Sequence, residues 1–206
     1  MRGRFISLEG VDGAGKSTHV SALADGIAAL GHRVVTTREP GGTPLGEQLR
    51  EMLLHVPMTH ATEALLMFAA RREHVDQVIR PALVRGDWVL CDRFSDATYA
   101  YQGGGHGVDA ARIAELERFV HDDCRPDLTI LFDVPPAVSR ARLAQAQAQA
   151  DGRGLDKFER EHDAFFVRVR NVYLARAAAE PARFRIIDST QSVEVVREQL
   201  LQLLTP

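Results

Sequence analysis

A glycine-rich loop near the start of the chain constrains the fold more than any other stretch. The loop consists of Gly10, Val11, Asp12, Gly13, Ala14, Gly15, Lys16 and Ser17, and it fits the pattern G-x-x-x-x-G-K-[ST]. The apolar run at residues 5–8 predicts a buried strand before the loop, and helical spacing of apolar residues predicts a helix over 18–30 after it. A strand, a glycine loop and a helix in this order predict a phosphate-binding loop.

The residue types of the loop suit a nucleoside triphosphate. Glycines allow successive backbone N–H groups to converge on phosphate oxygens, and the helix that follows directs its positive end to the same place. Lys16 is expected to reach the β- and γ-phosphates, and Ser17 to offer its hydroxyl to Mg²⁺. Thr18 follows at the start of the helix and is included in the predicted nucleotide site.

Length and composition limit the class of protein. A chain of 206 residues suits one domain with a large core. The formal charge of −3 gives no basic footprint for polymeric nucleic acid. The two cysteines lack metal-binding spacing, no run of about 18 apolar residues could span a bilayer, and the apolar run after the basic N-terminus is too short for a signal peptide. We therefore expect a cytoplasmic protein that binds small molecules.

Strand and helix patterns alternate along the remaining chain. Runs rich in apolar and β-branched residues at 33–37, 88–91, 128–132 and 184–187 predict four further strands. Helices are predicted at 45–54, 62–84, 109–121, after the prolines at 135–136, at 158–179 and from residue 192, with a short helix at 95–102 and a flexible exit at 103–105. This alternation predicts an α/β fold, a five-stranded parallel sheet with helices on both faces.

Charged residues follow the carboxyl ends of the predicted strands. This is the edge at which open α/β sheets bind their ligands. Asp92 ends a buried strand, where a carboxylate can help to hold Mg²⁺ through water; the alternative is a cap for the next helix. Arg93 could direct a planar charged group at a phosphate. Arg38 and Glu39 precede a run of proline and glycine that is either part of a site or a plain turn.

Two further segments carry candidate binding groups. Arg71 and Arg72 follow Met67 and Phe68 by one helical turn, an arrangement that fits stacking with anion binding, or solvated arginines beside core residues. Glycines around Arg153 predict a mobile lid over phosphates at approximately 144–157.

Several of these segments together resemble the bacterial thymidylate kinases. The segments are residues 8–18, 37–43, 92–94 and 98–103. The resemblance covers the chain from residue 4 to the last helix, and it implies phosphoryl transfer from ATP to dTMP with Mg²⁺, by a homodimer of P-loop kinase domains. It also implies that the loop binds the ATP phosphates.

The resemblance assigns roles to individual residues. Asp12 corresponds to the carboxylate near the sugar 3′-hydroxyl of dTMP, and Arg93 and Arg38 to arginines around the acceptor phosphate. Positions that line thymine and deoxyribose correspond to Arg71, Thr98, Tyr101 and Gln102.

This chain departs from the family pattern at two places. The aromatic residue expected four positions before Arg71 is Met67, so that either Phe68 stacks on thymine or Met67 supplies the apolar face. Some relatives carry an arginine in the loop, at the position where this chain has Gly13. In this respect the chain resembles the relatives in which the lid supplies the arginine. Arg153 is the candidate for that catalytic role, with Lys157 where relatives often have arginine.

Two other functions fit part of the pattern. Another nucleotide kinase would share the loop and the lid but would lack the combination of residues 39–42 and 101–103. A P-loop switch or regulatory ATPase would hydrolyse ATP without a nucleotide acceptor.

Overall fold

A computed structural model describes residues 2–121, 123–149, 157–159 and 161–204 of the chain. Among these residues, no helix is both long and apolar enough to cross a membrane. The cytoplasmic location expected from the sequence stays a prediction.

Five parallel strands form one sheet, as the sequence predicts. They are β1 (Phe5–Glu9), β2 (Val34–Arg38), β3 (Trp88–Asp92), β4 (Leu128–Asp133) and β5 (Phe184–Asp188). Their spatial order is β2-β3-β1-β4-β5, and every neighbouring pair is parallel. Strand β1 is buried along its whole length, which explains its unbroken apolar pattern.

Helices cover both faces of this sheet and give the core its two main layers. In chain order they are α1 (Lys16–Ala29), α2 (Pro44–His55), α3 (His60–His74), α4 (Arg80–Val84), α5 (Ser95–Thr98), α6 (Ala110–His121), α7 (Pro136–Gln149), α8 (Asp163–Ala179) and α9 (Val193–Gln202). A π-helical turn, Val75–Ile79, joins α3 to α4, and a second one, Tyr99–Gly105, extends α5. The predicted helix at 62–84 is thus one helical run with a π turn inside it.

The sheet register brings the carboxyl ends of three strands together. Asp92 pairs with Leu8 of β1 on one side and with Arg38 of β2 on the other. The glycine loop begins directly after β1 and ends at α1. Residues that are far apart in the sequence therefore meet at one edge of the sheet.

The flexible exit predicted at residues 103–105 is wrong, because these glycines lie inside the second π-helical turn and pack against α8. A Cβ atom on Gly104 would come within 2.5 Å of Cγ2 of Val172, and one on Gly105 within 2.3 Å of the Phe165 ring. Arg168 of α8 also donates hydrogen bonds to the carbonyl oxygens of Gly104 and Gly105. The absent side chains permit close approach of a helix, and they do not mark a loop.

The long helix predicted from residue 158 begins later, at Asp163. His162 before it has extended backbone angles and occupies the N-cap position, while residues 157–159 form a turn. Of the predicted lid, residues 144–149 are the last turns of α7, and residues 150–156 lie outside the described residues.

Candidate active site

The glycine loop has backbone angles that ordinary residues avoid. Gly13 has a φ of 74°, and Gly15, at the N-cap of α1, has a φ of 93°. A Cβ atom on Gly13 would lie 2.5 Å from the backbone oxygen of Ser139 in α7. In this chain α7 thus occupies the space that a side chain at position 13 would need.

Lys16 reaches back over the loop that precedes it. Its ammonium group is buried and donates hydrogen bonds to the carbonyl oxygens of Gly10 and Val11, at 3.0 and 3.1 Å. Burial, and after it the positive charge of Arg93, lowers the pKa of Lys16 to about 8. A phosphate group bound in the loop would place negative charge next to this ammonium group and so stabilise its protonated form.

Two serines anchor the loop from distant parts of the chain. Ser139 of α7 donates a hydrogen bond to the carbonyl oxygen of Asp12, and Ser189, after β5, donates one to that of Ala14. Sequence analysis did not identify either serine as part of the site. No local pattern could have shown their role, since each acts 127 or more positions away from its partner.

A polar cleft, which we call the loop cleft, opens beside the glycine loop. Its lining includes Gly13, Gly15, Lys16, Ser17, Thr18, Arg38, Asp92 and Arg142. Ser17 and Thr18 are exposed and line this cleft, and their contact with a ligand stays a prediction. Arg38 lies here beside Glu47 of α2, with 2.8 Å between the paired nitrogen and oxygen atoms.

The loop cleft has the donor atoms that a magnesium ion requires. Oδ1 of Asp92 is buried and has no hydrogen-bond partner among the described residues. The Ser17 hydroxyl lies in the same cleft. Hard oxygen donors of this kind suit Mg²⁺, which retains several of its own waters, so these residues fit the ion.

Arg93 lies at the centre of the site. Of the described non-glycine residues it alone has a positive φ, 70°, a sparsely populated conformation for a bulky side chain. Its guanidinium donates hydrogen bonds to the carbonyl oxygen of Gly10, to the Tyr173 and Tyr101 hydroxyls, and to Asp12. These contacts fix the direction in which a planar cation faces the cleft.

Asp12 is ionised beside this arginine. The Tyr101 hydroxyl donates a hydrogen bond to Oδ2 of Asp12 at 2.7 Å, and the backbone N–H of Asp12 donates one to the same hydroxyl at 3.1 Å. Burial opposes ionisation, but the positive charges of Arg93 and Lys16 outweigh it and lower the pKa of Asp12. A fixed carboxylate can accept a hydrogen bond from a ligand hydroxyl.

Glu9, which sequence analysis did not assign to the site, lies behind Arg93. Its carboxyl group is fully buried and accepts hydrogen bonds from the Tyr173 hydroxyl and the backbone N–H of Phe94. Burial, and then the negative charge of Asp96, raises the pKa of Glu9 to about 8. Its position at the end of β1 was visible in the sequence, whereas its contacts with Phe94 and Tyr173 were not.

A second cleft, which we call the apolar cleft, adjoins the loop cleft. Its lining includes Leu54, Met67, Arg71, Ala97, Thr98, Tyr101, Gln102 and Phe158. The mixture of apolar walls with a few polar groups is typical of small-molecule sites. The two clefts share Asp12, Glu39, Arg50 and Arg93, which therefore lie at their junction.

The structure places Met67 rather than Phe68 at the apolar cleft. Phe68 is 1% exposed and packs with Ile113 and Val120 in a small core cluster. Phe68 was one of two candidates for the ligand contact, and this placement corrects that assignment in favour of Met67. The physical reason is that consecutive residues of a helix face different directions, and α6 covers the face that carries Phe68.

Arg71 is one of the charged residues that line the apolar cleft. Its Nε donates a 2.6 Å hydrogen bond to Glu39, and Nη2 donates to Oγ1 of Thr98 at 3.0 Å. Burial opposes ionisation of Glu39, but the charge of Arg71 lowers its pKa overall. Nη1 of Arg71 is buried without a hydrogen-bond partner among the described residues, so that this edge of the cleft offers an N–H donor to a ligand.

Gln102 and Arg50 complete the polar groups around the apolar cleft. Gln102 is 1% exposed, and its Nε2 donates a hydrogen bond to Glu63 at 2.9 Å. Arg50 of α2 donates one to the carbonyl oxygen of Pro40 at 3.0 Å. Sequence analysis identified Gln102 but missed Arg50, whose helix carries no signature of a site.

The basic residues that were candidates for the lid have different surroundings. Arg153, the predicted catalytic arginine, lies outside the described residues. Arg142 lines the loop cleft and donates a hydrogen bond to the Ser189 carbonyl at 2.7 Å. Arg140 pairs instead with Asp163, and Lys157 pairs with the buried carboxylate of Glu63.

Comparisons with known proteins agree with this geometry. The family model described as thymidylate kinase matches residues 8–200. The chain is 61% identical over 199 residues to thymidylate kinase of Bordetella pertussis, and the matched region covers 97% of this chain and 93% of that protein. It is 57% identical over 204 residues to thymidylate kinase of Methylobacillus flagellatus, with 99% and 98% covered.

A solved structure shows the same fold. The crystal structure of thymidylate kinase from Ehrlichia chaffeensis superposes with a TM-score of 0.80 at 32% identity, and the match covers 100% of both chains. Because the family model and these relatives span nearly all of the sequence, the chain belongs to the thymidylate kinase family.

Proposed function

We infer that the protein transfers the γ-phosphoryl group of ATP to dTMP and so produces dTDP and ADP. The observation that carries this inference is the junction of the two clefts at Asp12 and Arg93. A site that joins a triphosphate to an acceptor needs two adjoining compartments with positive charge between them. A regulatory ATPase without an acceptor would have no use for the second cleft.

The loop cleft suits the ATP phosphates. Backbone N–H groups of residues 10–17 and the N-terminus of α1 supply donors, and Lys16 supplies a cation. When Mg²⁺ is bound, it offsets the charge on the β- and γ-phosphates, and Ser17 with Asp92 would hold it, the latter through water.

The apolar cleft suits dTMP. The unpartnered N–H of Arg71 can donate to a base carbonyl oxygen, and Met67 presents an apolar face to the ring. Asp12 can accept a hydrogen bond from the sugar hydroxyl, while Arg93 faces the monophosphate. Thr98, Tyr101 and Gln102 limit the space around the base and the sugar.

The transfer needs no general base. The second pKa of a phosphate monoester is about 6, so the acceptor oxygen is already a nucleophile at neutral pH. The acceptor oxygen forms a bond to the γ-phosphorus, and the bond from that phosphorus to the β,γ-bridging oxygen breaks, so that ADP leaves. The protein contributes alignment and positive charge, from Lys16, Arg93 and a lid arginine, for which we propose Arg153.

We also propose that two copies of the chain form the active protein. Phe119 on α6 is 84% exposed, and Leu65 on the adjacent helix α3 is 54% exposed. Large apolar side chains on neighbouring helices are typical of surfaces that a partner covers.

An ADP-release assay with ATP and each nucleoside monophosphate tests the acceptor. We expect dTMP to be the best acceptor, and dUMP to lose about 1–3 kcal/mol of transition-state binding because it lacks one methyl group. Phosphorylation of AMP or GMP at the rate of dTMP would contradict the assignment of the apolar cleft.

A further inference from the structure

A cluster of two histidines and a glutamate lies beside the apolar cleft. His60 is the first residue of α3, Glu63 follows one helical turn later, and His106 directly follows the second π-helical turn. One ligand atom from each of these side chains lies within 4.8 Å of the others. The mechanism above makes no use of this cluster.

His106 has an unsatisfied nitrogen that faces the glutamate. Its side chain is only 7% exposed, and Nε2 is buried without a hydrogen-bond partner among the described residues. The distance from Nε2 to Oε1 of Glu63 is 3.5 Å, which is too long for a good hydrogen bond.

The spacing of the three groups fits a transition metal. Tetrahedral zinc with bonds of about 2.0–2.1 Å separates its ligand atoms by about 3.4 Å. The Glu63–His106 distance already has this value, and His60 is exposed, so its ring has room to rotate toward the ion. The rings of His60 and His106 are stacked 4.0 Å apart and nearly parallel, so that His60 must rotate out of this stack to direct a ring nitrogen at the ion.

The carboxylate of Glu63 already forms an ion pair with a lysine. Lys157 pairs with Oε2 of this carboxylate, and Gln102 donates a hydrogen bond to Oε1. Glu63 is 1% exposed, so its negative charge has little access to water. A metal ion that bound here would therefore draw on the same carboxylate as Lys157, which lies at the end of the predicted lid.

We propose that His60, Glu63 and His106 bind a divalent transition-metal ion of the zinc class, and that this ion competes with Lys157 for the Glu63 carboxylate. Two imidazoles and one carboxylate are a common ligand set for zinc, and they leave a fourth position for water. The nitrogen ligands distinguish the site from the oxygen-lined magnesium site at Ser17 and Asp92.

Calorimetric titration of the nucleotide-free protein with zinc chloride, together with the visible absorption of bound Co²⁺, tests the proposal. We expect one saturable site per chain with a tetrahedral Co²⁺ spectrum. His60→Ala and His106→Ala should each weaken binding at least tenfold, whereas His32→Ala removes an exposed ring stacked on Trp88 and should leave binding unchanged. Because His60 is exposed, His60→Ala tests the site even where His106→Ala fails to fold.

Lys157→Gln separates competition from simple binding. If the ion and the ammonium share Glu63, this variant should bind zinc more tightly than the parent, by about tenfold. Equal zinc affinity of the His60→Ala variant and the parent would overturn the site. Loss of binding in the histidine variants with no change in Lys157→Gln would overturn the competition with Lys157.

Discussion

Lys16 is 7% exposed, and its ammonium group donates hydrogen bonds to two loop carbonyls. Burial depresses its pKa to about 8, whereas in the unfolded chain it is about 10.4. Between these values the unfolded chain binds more protons, so the contribution of Lys16 makes the free energy of unfolding rise with pH. Below pH 8 the protein bears the full cost of burying this charge.

We therefore predict that Lys16→Met stabilises the nucleotide-free protein while it removes most of its activity. At pH 7 the free energy of unfolding should rise by about 1–3 kcal/mol, and kcat should fall by about 10²- to 10³-fold, the loss typical of a charge that stabilises the transition state. Denaturant unfolding at pH 7 and pH 9.5 measures the first effect, and the difference from the parent should shrink at the higher pH. A variant less stable than the parent at pH 7 would show that Lys16 has a structural role.

Met67 and Phe68 are adjacent in α3 but have different surroundings. We expect Phe68→Ala to lower the free energy of unfolding by about 3–5 kcal/mol, because it opens a cavity in the core. Met67→Ala should leave stability nearly unchanged and raise the KM for dTMP, because Met67 lines the apolar cleft. Chemical unfolding and steady-state kinetics on both variants would reveal the reverse pattern if Phe68 were the residue that contacts the base.

The sequence predicted the residues of the site that belong to local motifs, and it missed those that act over distance. The glycine loop could be identified because its spacing is short and its neighbours are distinctive, whereas Thr98 and Gln102 were assigned through the resemblance to the thymidylate kinases. Glu9 could not, since its role depends on contacts with Phe94 and Tyr173 that only the folded chain creates. The choice between Met67 and Phe68 likewise depended on the position of α6.

At the scale of secondary-structure elements, α7 contacts the glycine loop and includes the first residues of the predicted lid. Its first half holds the glycine loop through Ser139, and its later residues Arg142, Leu143 and Ala146 line the loop cleft. A change in the lid should therefore affect phosphoryl transfer more than binding of dTMP, whose predicted contacts lie on other elements.

We predict that Arg153→Ala lowers kcat by about 10²- to 10³-fold, with little change in the KM for dTMP. The control is Arg140→Ala, because Arg140 pairs with Asp163 on the surface and does not line either described cleft. Arg140→Ala should remain within about threefold of the parent.

The double variant Arg153→Ala with Lys157→Ala tests for compensation within the lid. Turnover within about threefold of the parent in this variant would show that another residue supplies the positive charge that stabilises the transferring phosphoryl group. Arg142 would be the first alternative. Lys157 pairs with Glu63 in the structure, so we expect it to compensate little for Arg153.

The element boundaries show where sequence patterns are informative. All five strands were predicted to within one residue at each end. Strands β1, β3 and β4 are buried almost throughout and are mainly apolar, whereas β2 and β5, at the edges of the sheet, are partly exposed and contain β-branched residues. The glycines at 103–105 were misinterpreted because the same residue permits both a flexible loop and the close approach of a helix, here α8. Only the packing of α8 distinguishes the two cases.

At the scale of the whole molecule, the exposed apolar residues predict association. Helices α3 and α6 are joined by a hydrogen bond from Arg72 to the carbonyl oxygen of Val120, and both carry exposed apolar side chains. We expect light scattering to give twice the chain mass for the parent and the chain mass for Phe119→Asp. Val84→Asp, at a 79% exposed position that ends α4, is the control and should remain dimeric. A monomeric parent would contradict the proposed dimer.

The central claim is that the two adjoining clefts support transfer between nucleotides and not hydrolysis. The most direct test is to incubate the protein with Mg²⁺, dTMP and ATP labelled at the γ-phosphate, and to separate the products. We predict that the label appears in dTDP, with one ADP formed for each dTDP, and that omission of dTMP suppresses ADP formation. Recovery of the label as inorganic phosphate, at a rate independent of dTMP, would contradict the account.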